Sequence, residues 1–507
     1  MKRPTMTTWL AITALAGGML TTIQARPARS ASGAKYVFFF LGDGMSASQI
    51  QATEAYLTTL HGGSPRTPAD MLNPSNRLTM CKLPVQGMQT TYDDGALMTD
   101  SASAGTAFAC GKKTLSGVVG KNRAKTESYK SVAQLAHEQG KSVGILSSVS
   151  LDHATPASYY ASVNSRSEYN SICMQLANSG YEFFGGGGLS TPTGASGNAW
   201  DQLTANGYTV KNTRADIMAL TSAPASKVVC INPWLQDAAA MPYAMDRPGT
   251  NVSLKEMTEV ALACLQADQD GFFMMVEGGK IDWSCHANDA VATLADMLDF
   301  DNAVGVALAF YNAHPNDTLI IVTGDHETGG MTVGQALNGY TENFSRLLGQ
   351  TVSFQKFNMD VWPAFETANQ GGYDWTQNNL ASGSADAVAF TNLMMSNFGL
   401  SYSGLNPYQK QKLEDAYDLS MAETNDNLSA ENTFLYGGYE AVTMTLCHLL
   451  NENSSIGWTS YAHTGVPVPV FAIGFDAYRF EGFYDNTDIA KQIAKAIRYP
   501  DPLPVLK

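Results

Sequence analysis

Acids and histidines stand at the ends of apolar runs in this chain. Phe38-Phe39-Phe40-Leu41-Gly42-Asp43-Gly44 puts Asp43 between two glycines just past one run. Val276-Glu277-Gly278-Gly279-Lys280-Ile281-Asp282-Trp283-Ser284-Cys285-His286 ends another run on Glu277. Asp282 and His286 are four apart, so a helix puts both on one face, and a carboxylate beside an imidazole suits zinc. A third run, Thr318–Thr323, leads into Gly324-Asp325-His326-Glu327-Thr328. Adjacent Asp325 and His326 can both reach one metal, because a loop need not obey strand alternation. His463, in Tyr461-Ala462-His463-Thr464-Gly465, precedes a last apolar run and supplies another imidazole. Four of the eight histidines, His153, His286, His326 and His463, fall in such segments. Each segment alone also reads as an ordinary turn, cap or surface pair; their joint placement argues for a site.

The nucleophile candidate lies in Thr99-Asp100-Ser101-Ala102-Ser103-Ala104-Gly105. Ser101 leads into an Ala-rich stretch that reads as helix. Its hydroxyl is then expected at a helix N-terminus, where free N–H groups and the dipole favour an anion. Taken alone, a serine there is an N-cap. In Asp152-His153-Ala154-Thr155-Pro156, Thr155 can offer a hydroxyl to a hard cation. Arg166 can hold two phosphate oxygens at once. A serine hydroxyl attacks poorly until a metal or base removes its proton. Two metals about 3.5–4 Å apart clamp both ends of an in-line displacement.

These residues need a frame that gathers them. Near-continuous apolar runs over Lys35–Leu41, Lys141–Ser147, Gly271–Val276, Thr318–Thr323 and Val466–Ile473 read as buried parallel strands. Helical stretches lie between them, at Ser131–Gln139, Ser253–Asp268, Asp289–Asn312 and Asp488–Arg498. The alternation predicts an α/β fold, a three-layer α/β/α sandwich with a large, mostly parallel central sheet. Ligands then gather outside the carboxyl ends of the strands. Pro467 and Pro469 demote the last run towards an edge or a strand start. Residues 331–456 differ: Asn, Gly, Ser, Tyr and Met accumulate, strand signals fade, and 13 acids face 4 bases. They read as a large insertion between a first core part, 35–330, and a C-terminal core part, 457–507.

The 507 residues carry a net charge of −15. That argues against nucleic acid, whose binding needs a positive surface. It also looks wrong for an anionic substrate, unless bound cations reverse the local sign. Residues 1–31 read as a secretory signal: Lys2 and Arg3, then a short apolar core from Trp9 to Leu20, then small residues, with the cut between 25 and 34. That core is too short to span a bilayer, and no later run is long enough. The expected location is periplasmic or secreted. Export permits disulfides, but seven cysteines leave at least one unpaired within the chain. Cys285, beside His286, reads as a core cysteine.

Together the motifs resemble the alkaline phosphatase family, over most of residues 35–330 and again over 455–475. They occur in the family's order. The resemblance implies Ser101 as nucleophile and Arg166 as phosphate clamp. It implies one zinc site at Asp282, His286 and His463, and a second at Asp43, Asp325 and His326. It implies a magnesium site at Asp43, Thr155 and Glu277. It further implies phosphate monoesters as substrates, inorganic phosphate as product and inhibitor, and a homodimer. Three divalent ions and Arg166 bring seven positive charges against four carboxylates, which leaves three for a phosphate dianion and a serine alkoxide. His153 and Trp283 depart from the best-known bacterial pattern, standing where some members carry an aspartate near the magnesium and a basic residue near the phosphate. A phosphodiesterase or sulfatase on the same scaffold is the second reading, and a non-catalytic phosphate- or metal-binding protein the third. Ser101 argues against the third, because simple binding needs no nucleophile.

Overall fold

The computed structural model describes residues 33–371, 373–376 and 380–507, so the expected leader at 1–31 lies outside the described residues. Ten strands form one sheet: β1 (Tyr36–Gly42), β2 (Val85–Thr90), β3 (Ser142–Ser147), β4 (Phe183–Gly186), β5 (Thr209–Lys211), β6 (Val228–Ile231), β7 (Phe272–Gly278), β8 (Thr318–Gly324), β9 (Val468–Gly474) and β10 (Gly482–Asp485). Across the sheet they run β10-β2-β9-β8-β1-β7-β3-β4-β6-β5. Neighbours are parallel except at β9, which opposes both β8 and β2.

The central strands are apolar on both faces because both faces are covered. Side chains alternate along β1, so Val37, Phe39 and Leu41 enter one buried cluster, and Tyr36, Phe38 and Phe40 another. The helices that matter are α1 (Ala47–Leu60), α2 (Ser101–Cys110), α3 (Val132–Glu138), α4 (Leu254–Leu265), α5 (Lys280–His286), α6 (Ala290–Ala313) and α7 (Thr487–Ala496). Phe108 of α2, Val132 of α3 and Ile493 of α7 pack into the first cluster. Met257 of α4 and Phe300 of α6 pack into the second. This is the expected three-layer sandwich. Phe39, fully buried, lies 6.0 Å from Phe108 and 6.2 Å from Tyr159, centroid to centroid. Phe39→Ala is expected to cost about 3–5 kcal/mol, read as a lower denaturant midpoint with an unchanged slope.

One strand expectation is corrected. The run Val466–Ile473 is neither parallel nor an edge: β9 is an interior strand and the one antiparallel member. Its register with β8 begins at Val470, so Pro469 falls just outside that ladder, where its missing N–H costs nothing. The Pro469 carbonyl accepts the Thr323 hydroxyl at 2.9 Å.

Among the described residues of 331–456, none joins the ten-stranded sheet. Thr332–Val333 pairs with Ile456–Gly457, so the segment leaves and returns at one place. Trp362, Phe365, Phe390 and Tyr417 from the segment share a buried cluster with Tyr243, Val291 and Leu294. Two buried carboxylates fasten it there. Asp246 accepts from the Ser353 backbone at 3.0 Å, and Asp289 from the Phe354 backbone at 2.8 Å. All seven cysteines are free. Among the described residues, no helix is long and apolar enough to cross a membrane.

Candidate active site

Parallel strands deliver their carboxyl ends to one edge, and the expected residues meet there. Asp43 follows β1, Glu277 lies near the end of β7, Asp325 and His326 follow β8, and His153 and Thr155 lie in the segment after β3. Helix α5 starts two residues past β7 and carries Asp282 and His286 one turn apart. His463 comes from the far side of the 331–456 segment. A short antiparallel ribbon brings it in, with Thr328 opposite His463 and Glu327 opposite Thr464. The Glu327 carboxylate accepts the Thr464 hydroxyl across that ribbon. Glu327 also accepts from Gln49 at 2.9 Å and from the Gly330 and Met331 backbones at 3.0 and 2.9 Å.

Three acid–imidazole groups result, and in each the candidate ligand atoms lie within 4.8 Å of one another. The first holds Asp282, His286 and His463; the second Asp43, Asp325 and His326; the third Asp43, Glu277 and His153. Asp43 belongs to both the second and the third. In the first group, His286 Nδ1 donates to the Tyr461 carbonyl at 2.6 Å, and His463 Nδ1 to the Thr99 carbonyl at 2.7 Å. Carbonyls only accept, so in the neutral rings both Nε2 atoms carry lone pairs. They face each other at 3.1 Å beside Asp282. Two lone pairs and a carboxylate converging on one point suit a shared cation.

The second and third groups fit cations by their unmet atoms. Asp43 Oδ2, Asp325 Oδ2, Glu277 Oε1 and Thr155 Oγ1 are buried with no hydrogen-bond partner. Unpaired buried carboxylates are costly. Burial, with the Asp282 charge, pushes Asp325 up to about 7. Burial likewise pushes Glu277 up to about 8, against a hydrogen bond from Ser147. Burial would also raise Asp282, but the positive charge and hydrogen bonds that His286 and His463 bring when protonated hold it well below the carboxylate range. Against its own burial, His286 is in turn raised to about 9 by the Asp282 charge, so without a cation the ring keeps a proton that a metal would displace. Oxygen-rich sites suit hard cations, and nitrogen-containing ones suit zinc.

Ser101 is the first residue of α2, and Asp100 caps the helix by accepting from the Ser103 backbone at 2.9 Å. Ser101 Oγ lies 3.4 Å from Asp43 Oδ1 and 3.4 Å from His326 Nε2. Gly105 lets α2 approach the Thr155 segment closely: a Cβ there would sit 2.7 Å from Ser158 Oγ. Arg166 donates from Nη1 to Asp100 at 3.0 Å and from Nη2 to His153 Nε2 at 3.0 Å. Burial and the Arg166 charge push His153 down to about 3, so its ring is neutral and can accept that bond. Trp283 meets His153 edge to face at 6.0 Å, and Lys280 Nζ lies 4.6 Å over the Trp283 ring.

All the candidate residues therefore converge. His153 lies beside the third group as expected: its Nε2 lone pair is spent on Arg166, so Nδ1 carries the hydrogen and the ring borders the group without ligating it. Three contributors have no role in the sequence reading: Asp100, which orients Arg166, and Glu327 and Thr328, which knit the ribbon. Asp100 adjoins Ser101, Glu327 adjoins His326, and Thr328 is two residues past it. Proximity in sequence was their only signal, because their partners are remote in the chain.

The description of the family model that matches residues 34–184 and 194–499 is alkaline phosphatase. Alkaline phosphatase 3 of Bacillus subtilis is 30% identical over 421 residues, covering 82% of this chain and 80% of that protein. The crystal structure of Thermus thermophilus alkaline phosphatase is 26% identical, covers 98% of this chain and 97% of its own, and superposes with a TM-score of 0.72. A variant of the alkaline phosphatase from the Antarctic bacterium TAB5 is 25% identical, covers 93% and 99%, and has a TM-score of 0.61.

Proposed function

The chain belongs to the alkaline phosphatase family and is a metal-dependent phosphatase, and from that premise we propose that it hydrolyses phosphate monoesters through a phosphoserine on Ser101. The observation that carries the reading is the Ser101 hydroxyl at a helix N-terminus, 3.4 Å from both Asp43 and His326. We assign zinc to the Asp282, His286, His463 group and to the Asp43, Asp325, His326 group. We assign magnesium to the group of Asp43, Thr155 and Glu277, with His153 at its rim. The solved TAB5 variant is described with magnesium bound in a site called M3. When bound, these ions stabilise charge on the attacking and leaving oxygens and make a serine or water proton easier to lose.

The chain's own groups do the rest. Ser101 Oγ lies within 3.4 Å of Asp43 Oδ1 and of His326 Nε2, so the hydroxyl stands beside both groups and free to turn towards phosphorus. The backbone N–H groups of the first turn of α2 face the incoming phosphate charge. Arg166 has N–H groups beyond the two spent on Asp100 and His153, and these hold two phosphate oxygens. Asp100 and His153 fix the guanidinium plane before substrate arrives. Attack forms the Ser101 Oγ–phosphorus bond and breaks the bond from phosphorus to the ester oxygen, and the proton lost by Ser101 is balanced by the one the alcohol gains. Water then attacks phosphorus, the Ser101 Oγ–phosphorus bond breaks, Ser101 regains a proton from that water, and phosphate leaves.

Initial rates at alkaline pH on an aryl phosphate monoester, the matching diester and the aryl sulfate test this reading. The monoester is expected to be the best substrate. A faster diester or sulfate reaction would transfer the proposal to the alternative enzyme class. His153 and Trp283 supply no cation toward the phosphate, which favours product release. Replacing both, His153→Asp with Trp283→Lys, is expected to tighten inhibition by inorganic phosphate roughly tenfold, the worth of one added charge-assisted hydrogen bond. An unchanged inhibition constant would sink that account.

Export through the leader at 1–31 and a homodimer complete the proposal, with the 331–456 segment covering the site or joining subunits. N-terminal sequencing of the mature protein and its sedimentation mass check these two points.

A further inference from the structure

Thr328 is fully buried and lies between the two groups assigned to zinc. Its Oγ1 is 2.5 Å from Asp282 Oδ1, in the first group, and 3.2 Å from His326 Nδ1, in the second. A hydroxyl has one hydrogen, and the carboxylate can only accept, so the Thr328 hydrogen goes to Asp282. The contact with His326 is then a donation from His326 Nδ1 to the Thr328 oxygen. That donation leaves His326 Nε2 with its lone pair, 3.3 Å from Asp43 and 3.2 Å from Asp325. One hydroxyl thereby orients a carboxylate of one group and sets the tautomer of an imidazole in the other. The fold keeps this position crowded. Gly44, at φ +75°, passes so close that a Cβ would sit 2.9 Å from Thr328 Oγ1 and 2.9 Å from Asp282 Cα. Thr328 is also the residue opposite His463 in the ribbon, so its backbone pairs with the strand that carries a third member of the first group.

We propose that Thr328 is a positioning residue that couples the two zinc groups through its single hydroxyl, so that each group's affinity depends on it. The inference rests on the two-zinc reading above. Its test is a competition of zinc between a chelating indicator and the metal-free full chain, for wild type, Thr328→Ser, Thr328→Ala and Thr328→Val. Serine and alanine differ by one oxygen, so that pair isolates the hydroxyl even if valine disturbs folding; the melting temperature of each metal-free variant reports on the scaffold.

Wild type is expected to take up zinc in two tight steps, and Thr328→Ser to stay close to it. Thr328→Ala and Thr328→Val are expected to weaken both steps, by about 10- to 100-fold, as loss of a partner behind metal ligands does. Equal zinc affinity for the serine and alanine variants overturns the proposal, as does weakening of one step alone. If wild type itself takes up no zinc, the two-zinc reading fails first and this inference fails with it.

Discussion

Ser101→Ala is expected to lower kcat/KM for an aryl phosphate monoester by on the order of 10^4-fold or more, the scale on which a hydrolase loses rate with its serine nucleophile. The loss is chemical and not structural. Ser101 makes only long contacts, at 3.4 Å, and Asp100, not Ser101, caps α2. The variant should therefore melt within a few degrees of wild type, and its three acid–imidazole groups should stay assembled. A covalent probe sharpens the result. Wild type quenched in acid during turnover of a labelled monoester should retain phosphate on Ser101, and the alanine variant none. A variant that keeps more than about a tenth of wild-type activity would place the nucleophile elsewhere.

Removing metal is expected to be as severe. Chelation should take hydrolysis to background, and re-addition of zinc with magnesium should restore it. It should also lower the melting temperature, because an ion bound only by the folded state stabilises that state by about 2.7 kcal/mol at a hundredfold excess over its dissociation constant. The buried oxygens of Asp43, Asp325 and Glu277 are what the ions would satisfy. Left alone they repel one another in a low-dielectric site. Adding each metal separately distinguishes the groups: zinc is expected to recover most of the lost stability, and magnesium a further increment through Asp43 and Glu277. An apoprotein as stable and as active as the loaded form would show that these clusters are not metal sites.

The sequence by itself determined the main strands of the core, because short, aromatic- and β-branched-rich apolar runs such as Tyr36–Leu41, closed by glycine, suit a sheet covered on both faces. It also marked where chemistry would stand, since Asp43, Glu277 and Asp325 each close an apolar run. Helical spacing put Asp282 and His286 on one face without any tertiary contact. The structure decided what periodicity cannot encode. The direction of β9 is one such fact: an apolar run reads the same forwards and backwards, and only pairing with β8 and β2 reveals that it runs against them. Short strands such as Val228–Ile231 and Gly482–Asp485 also escaped, being too brief to show a period. The delivery of His463 across the 331–456 segment depends on a two-residue ribbon, a contact with no local signature. The Arg166 bonds to Asp100 and His153, and the Thr328 hydroxyl between Asp282 and His326, exist only once the chain has closed. Local residue type and spacing are written along the chain, whereas hydrogen-bond partners, tautomers and strand direction are relations between distant segments, and packing alone sets them.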